Sequence, residues 1–453
     1  MMKHIKRLLL AVGFLGLSLT GLRGGVVFDS LAYFNYTNGA HPTAELVLGQ
    51  DGNYYGTSHN GGTTNGTVFQ MTPAGVVTQL LIFNMSNGAN PHAALIQASN
   101  GVLYGTTEEG GTNGNNGTVF QITTNGQLTT LVSFNTTNGS DPMGALVQGA
   151  NGTLYGTTSS GGTNGGYGTV FQITTNGQLT TLISFNNTNG ANPLGALART
   201  ADGTLFGTTS SGGVSGTNGT VFQISTNGQF TTLVSFNGAN GANPYSGLVL
   251  ASDGNFYGTT YNGGLAGVGT VFKMTRTGSL SNLASFNNTN GANPRGVLLQ
   301  GADGNFYGTT QSGGTNGFGS IFQMTPGGAI TLLYSFDPVS GGDLPVAGLI
   351  QGPDGNLYGT TQSGGAKAVG TVYSLNVPMA PVFRAVTQSG GIFSFTWTAV
   401  AGRVYQVQFI SDLTQTNWTN FGGVLNATNG IMGGSTAIGS NTSRFYQIQL
   451  LSP

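Results

Sequence analysis

The chain has 453 residues, with 12 basic and 13 acidic side chains and no cysteine. The lack of cysteine excludes disulfides, thiolate metal sites and cysteine nucleophiles. So few cations, with no basic stripe among them, exclude a partner bound through its phosphate backbone, and no nucleic-acid partner is expected. The 80 glycines and 14 prolines are about a fifth of the chain, below the ~25–30% typical of aperiodic low-complexity sequence. Regularly placed aromatic and aliphatic residues point instead to a packed core.

Residues 1–25 read as an export signal. Lys3, Lys6 and Arg7 precede an apolar run from Leu8 to Leu19, and small residues follow at Gly21 to Gly25. The run is short for a bilayer span; an uncleaved anchor is the other reading. Removing the segment leaves 8 basic and 13 acidic residues, a net charge near −5. No later stretch is apolar enough for a transmembrane helix, so none is expected after signal removal.

From Val26 to Asn376 one unit is written seven times, with its third-phrase aromatic at Tyr55, Tyr104, Tyr155, Phe206, Tyr257, Tyr307 and Tyr358. The steps are 49 to 51 residues, a period typical of propellers and solenoids. Each unit has four phrases: L-T-T-L-x-S-F-N, N-G-A-N-P-x-G-A-L-V-Q, D-G-x-L-Y-G-T-T and G-T-V-F-Q-I-T. The last two are rich in aromatic and β-branched residues and bounded by glycine, which predicts strands. Asp51-Gly52, Asn100-Gly101 and their equivalents predict hairpins, because both residues of such a pair tolerate positive φ.

The distance from the T-V-F aromatic to the next S-F aromatic is 14 residues, as from Phe120 to Phe134. Length varies mainly in the Gly-rich stretch between the Tyr of Y-G-T and the Thr of T-V-F, which spans 12 to 14 residues. The array opens on an L-T-T-L-x-S-F equivalent, Val26 to Phe34, and closes on a T-V-F equivalent at Thr371 to Tyr373. That phase predicts an all-β, seven-bladed β-propeller of four-stranded blades, with the N-terminal strand closing the last blade and hiding two edges.

Residues 377–381, with two prolines, read as a linker. Residues 382–453 read as a small β-sandwich-like domain. Its markers are Phe395-Thr396-Trp397, the alternation of Tyr405, Val407 and Phe409, and Arg444-Phe445-Tyr446. Both tryptophans fall here, each expected to anchor a small core.

The run L-Y-G-T-T-x-x-G-G-x-x-x-x-G-T-V-F-Q-I-T resembles the Gloeo/Verruco (GloVer) tandem repeat of bacterial surface proteins over Val26 to Asn376. The resemblance implies an extracellular or cell-envelope location and carries no catalytic residues. The chain departs from the family's usual sorting signal, since it ends in a β-rich segment. That segment resembles small immunoglobulin- or fibronectin-III-like modules.

The aspartates of the Asp-Gly pairs read as turn residues. Glu108-Glu109 reads as a solvated loop pair, since an acid/base dyad needs carboxyls on two sides of a bond. His41, His59 and His92 share one face with Glu45 and Glu108, but no tight metal-binding spacing joins them; no metal and no cofactor is expected. The Gly-rich loops lack a P-loop ending.

One position is more informative. The residue after the blade-linking proline is Thr43, His92, Met143, Leu194, Tyr245, Arg295 and Val346, different in every unit of a uniform repeat. His92, Met143, Tyr245 and Arg295 are the candidate ligand-binding residues of a channel mouth, with Tyr245 as a stacking platform. No catalytic constellation emerges. The expected function is a secreted or cell-surface, non-enzymatic binding propeller, a monomeric ring recognising glycan or extracellular matrix material. The rival is a protein-interaction scaffold of the envelope, followed by a propeller enzyme such as a polysaccharide lyase or lactonase.

Overall fold

Each blade is one antiparallel four-stranded sheet, built from the last three phrases of one unit and the L-T-T-L phrase of the next, or for the last blade of the first unit. The second blade is representative: Ile96–Gln97, Leu103–Thr107, Thr118–Ile122 and Leu128–Ser133 lie side by side from inside to outside. Gly105 of Y-G-T sits directly opposite Phe120 of T-V-F. A Cβ on Gly105 would lie 2.6 Å from Phe120 Cζ, so glycine makes room for the aromatic ring that covers it. The last Thr of Y-G-T-T ties the hairpin: Thr107 Oγ1 lies 2.8 Å from Thr118 Oγ1 and donates to the Glu109 carbonyl. The Thr before it reaches the next blade, as where Thr208 Oγ1 donates to the Ser246 carbonyl at 2.8 Å.

The L-T-T-L phrase breaks strict alternation, and a β-bulge resolves it. Val119 pairs with Val132 and Phe120 with Thr130, leaving Leu131 extra. A bulge lets neighbours share a face, and Leu131 and Val132 both pack in the core between the second and third blades.

The Asx-Gly hairpins form, with a different division of labour from the expected one. Only the glycine takes positive φ (+80° at Gly52); Asp51 does not. Gly52 N donates to the Gly49 carbonyl at 3.0 Å, and the Asp51 carboxylate accepts from Asn53 N and the Tyr55 hydroxyl. The aspartate is chosen for its acceptors rather than for backbone freedom.

This computed structural model describes residues 26–453 except 63, 215, 217, 379–380, 382, 390–391, 401–402, 411–416, 429–430, 438–444 and 453. The expected signal segment lies outside the described residues, as do two residues of the expected linker. The structure is all-β, with seven four-stranded sheets arranged as a propeller. Val27–Tyr33 pairs antiparallel with Thr371–Asn376 and so becomes the outermost strand of the seventh blade. Cores lie between blades. One joins Tyr55, Val68 and Phe83 of the first blade to Leu95, Leu103 and Phe120 of the second. Another joins Leu46, Tyr54 and Phe69 of the first to Tyr358 and Val372 of the seventh, closing the ring.

Beyond the ring lie two small antiparallel sheets. Phe383–Ser389, Ile392–Thr398 and Ile431–Ala437 form one, and Val404–Ile410 with Phe445–Ser452 forms the centre of the other. Phe395 and Trp397 share a core with Tyr405, Val407 and Ile448. Trp397 is fully buried in that core, whereas Trp418 is only half-buried.

Candidate functional site

The inner strand of each blade is preceded by a four-residue segment that follows the blade-linking proline. Asparagine before that proline adopts φ of +53° at Asn90, +54° at Asn192 and +57° at Asn293, a region asparagine tolerates. Its side chain reaches back one blade, as where Asn192 Nδ2 donates to the Ser159 carbonyl at 3.0 Å. The proline packs on the glycine of the previous G-T-V-F; a Cβ on Gly168 would lie 2.8 Å from Pro193 Cδ. These contacts aim the next residue inward.

The result is one cavity of about 120 Å³ lined by all seven blades. Thr43, His92, Met143, Leu194, Tyr245, Arg295 and Val346 all line it, so the sequence-variable positions converge. Arg295 lies over the Tyr245 ring, its guanidinium carbon 5.1 Å from the centroid. Tyr261 meets Tyr245 edge-on at 4.8 Å. The tyrosine therefore supports the guanidinium instead of offering the open stacking platform expected from sequence. Burial lowers the His92 imidazole to about 4, and the nearby Arg295 charge acts in the same direction. His92 is neutral at pH 7.

Sequence reasoning passed over Glu45 as a cavity residue. It lines the channel where the other blades place Ala94, Ala145, Ala196, Gly247, Val297 and Gly348. Comparing the repeats two residues beyond the variable ring would have exposed it. A Cβ on Gly348 would lie 2.5 Å from Glu45 Oε1, so the carboxyl presses against backbone. Burial raises it from 4.5 to about 7, opposed by the N–H groups of Gly348 and Val297. The folded chain therefore holds this proton more tightly than the unfolded one. The stabilisation is complete below about pH 4.5 and is lost as pH rises through about 7. Glu45→Gln is expected to be more stable than the parent at pH 8 by about 1–3 kcal/mol, and nearly equal at pH 4. Urea midpoints at the two pH values measure this; an identical pH slope in both proteins would assign it to another group.

The Gloeobacter/Verrucomicrobia repeat matches residues 22–165, 63–250 and 199–442. The chain belongs to this family. No curated protein matches it in sequence. Among solved structures it is similar to the extracellular domains of two putative hybrid two-component systems from B. thetaiotaomicron. Identities are 12% and 9%, TM-scores 0.53 and 0.51, and the matches cover 92% and 93% of this chain. The chain spans 57% and 59% of those two chains. At such identity the likeness concerns the fold.

In this Gloeobacter/Verrucomicrobia repeat ring the remaining candidates lie beside the channel-mouth residues rather than among them. His41 occupies an asparagine position and its Nδ1 meets the Gln362 carbonyl at 3.0 Å, repeating the asparagine contact. His59 Nε2 lies 3.4 Å from Glu108 Oε2. Burial pulls His59 down, but Glu108, Asn60 and the charge of Glu109 outweigh it and raise it. His59 and His92 meet edge-on at 6.1 Å. Among the described residues no group of three or more His, Asp or Glu could hold a metal. The turn aspartates are engaged in their hairpins, with Tyr257, Tyr307 and Tyr358 donating to Asp253, Asp303 and Asp354. Many loop asparagines are engaged as well: Asn135 and Asn138 accept from each other's backbone N–H, as do Asn186 and Asn189.

Proposed function

We propose that the chain is a secreted or cell-surface protein whose ring binds glycan or extracellular matrix material at the channel mouth without transforming it. The observation that carries this reading is the convergence of seven different side chains on one cavity of an otherwise uniform ring. Loops on a rigid scaffold are where binding residues concentrate. With the loop asparagines largely engaged within the chain, ligand contacts fall to the mouth residues. The cavity, at about 120 Å³, is smaller than the ~300–1,000 Å³ of enclosed ligand pockets. One sugar unit or one substituent enters, and the rest of the ligand runs outward over the loops.

Glu45 is the one carboxylate among the cavity-lining residues, which supports binding over glycoside hydrolysis, a reaction that takes two. Export is supported by the leader-like residues 1–25, and the C-terminal sheets suit a small immunoglobulin- or fibronectin-III-like module. The ring acts as a monomer. A specific observation favours the scaffold reading as second: Val214, Leu265 and Val339 are 84%, 99% and 84% exposed, and apolar loop residues of this kind suit a protein partner.

A glycan array probed with the full chain tests the first reading. Binding is expected, and Arg295→Ala and Tyr245→Ala are expected to reduce it at least tenfold. Unchanged binding in both variants rules out the mouth. No glycan bound, with envelope proteins retained in a pull-down, turns the assignment to the scaffold.

A further inference from the structure

We infer that the channel mouth selects a carboxylate-bearing saccharide, an oligouronate, by seating one carboxylate on the guanidinium of Arg295. The inference rests on the saccharide reading above and specifies its chemical class.

Arg295 is the cation of the channel. Among the described residues Lys273 and Arg276 are paired with Asp253 and Asp202 at 2.8 and 2.7 Å, whereas Arg295 has no carboxylate within ion-pair distance. It is half-buried, and its guanidinium carbon lies over the Tyr245 ring. A guanidinium seated over an aromatic ring makes that contact without spending its N–H donors, and the planar fork of those donors matches a carboxylate with two parallel hydrogen bonds. Tyr245 is thus a positioning residue, itself braced by Tyr261.

The surroundings favour a single negative charge. Met143, Leu194 and Val346 line the same cavity and lower the local dielectric, which strengthens one ion contact. His92 is neutral at pH 7, so no second cation stands ready for a phosphate or sulfate cluster. Glu45, two positions beyond Thr43 in the segment that precedes the inner strand, places an acidic group elsewhere in the cavity. The cavity of about 120 Å³ has room for one uronate, so its neighbours remain outside.

Isothermal titration of the full chain with trigalacturonate and with its methyl ester tests this, since the two differ in charge but share their hydroxyls. The acid is expected to bind at least tenfold tighter than the ester. Arg295→Ala should erase that ratio and Arg295→Lys should reduce it. Tyr245→Phe should keep it, because the ring remains, while Tyr245→Ala should lower it. Equal affinity for acid and ester overturns the carboxylate assignment and leaves the saccharide reading in place. Failure of both probes, with neutral oligosaccharides bound on the array, likewise overturns only the carboxylate assignment. No saccharide of any kind bound overturns both. Acetate competing as strongly as trigalacturonate overturns the saccharide part.

Discussion

Removing residues 26–34 is expected to abolish the cooperative unfolding of the ring, and Phe34→Ala alone to cost about 3–5 kcal/mol. The strand has partners on both sides of the closure. Its register runs from Val27 opposite Asn376 to Tyr33 opposite Thr371. Phe28 stacks on Tyr334 at 4.0 Å and on Tyr373 at 5.3 Å. Phe34, 1% exposed, meets Phe69 of the first blade at 5.1 Å. Without the strand, Thr371–Asn376 becomes an exposed edge, a template for pairing with another chain, and the aromatic surface of Tyr334 and Tyr373 opens to water. Urea unfolding followed by tyrosine and tryptophan fluorescence measures the loss, and sedimentation measures association. Phe185→Ala is the internal standard, since Phe185 packs on Phe222 at 5.3 Å in the same arrangement within an uninterrupted part of the chain. If the truncated protein unfolds at the same midpoint as the parent, the closure is not what holds the ring.

This closure was legible in the sequence because it depends only on phase: an array that begins on an L-T-T-L strand and ends on a T-V-F strand leaves one place for its first strand. The variable ring was legible for the same kind of reason, since uniform repeats make any deviation visible. What the sequence did not disclose is who touches whom across the ring. Arg295 lies over Tyr245 because the inner segments of neighbouring blades run side by side, and no spacing in the chain encodes that contact. Glu45 was weighed only beside the loop histidines because its register in the channel depends on the preceding proline and on the asparagine-type turn, where His41 stands with φ of +53°. The bulge at Leu131 was hidden because an L-T-T-L run mixes two faces. Periodicity reports a face only while the alternation holds.

Two glycines of the third blade, four positions apart, are expected to fail for different reasons and to be rescued differently. Gly152 has φ of +83° and nothing within 4 Å of a built Cβ. Gly156 is not among the positive-φ residues, but its Cβ would lie 2.6 Å from Phe171 Cζ and 2.8 Å from Leu146 Cδ2. Gly152→Ala should therefore cost about 1–2 kcal/mol of left-handed backbone strain, and Gly152→Asn less, because asparagine tolerates that conformation. Gly156→Ala should cost about 1–3 kcal/mol of overpacking, and asparagine there should be worse. Phe171→Leu shortens the side chain that meets the new methyl group, so the Gly156→Ala/Phe171→Leu double variant should be less destabilised than the sum of the singles by about 1 kcal/mol or more. The same Phe171→Leu change should give no relief to Gly152→Ala. Four urea-unfolding curves for each cycle decide the matter. Additivity within about 0.5 kcal/mol at Gly156 would mean that the aromatic ring can move aside, and that the pairing of Y-G-T glycine with T-V-F phenylalanine is not the contact that fixes each blade.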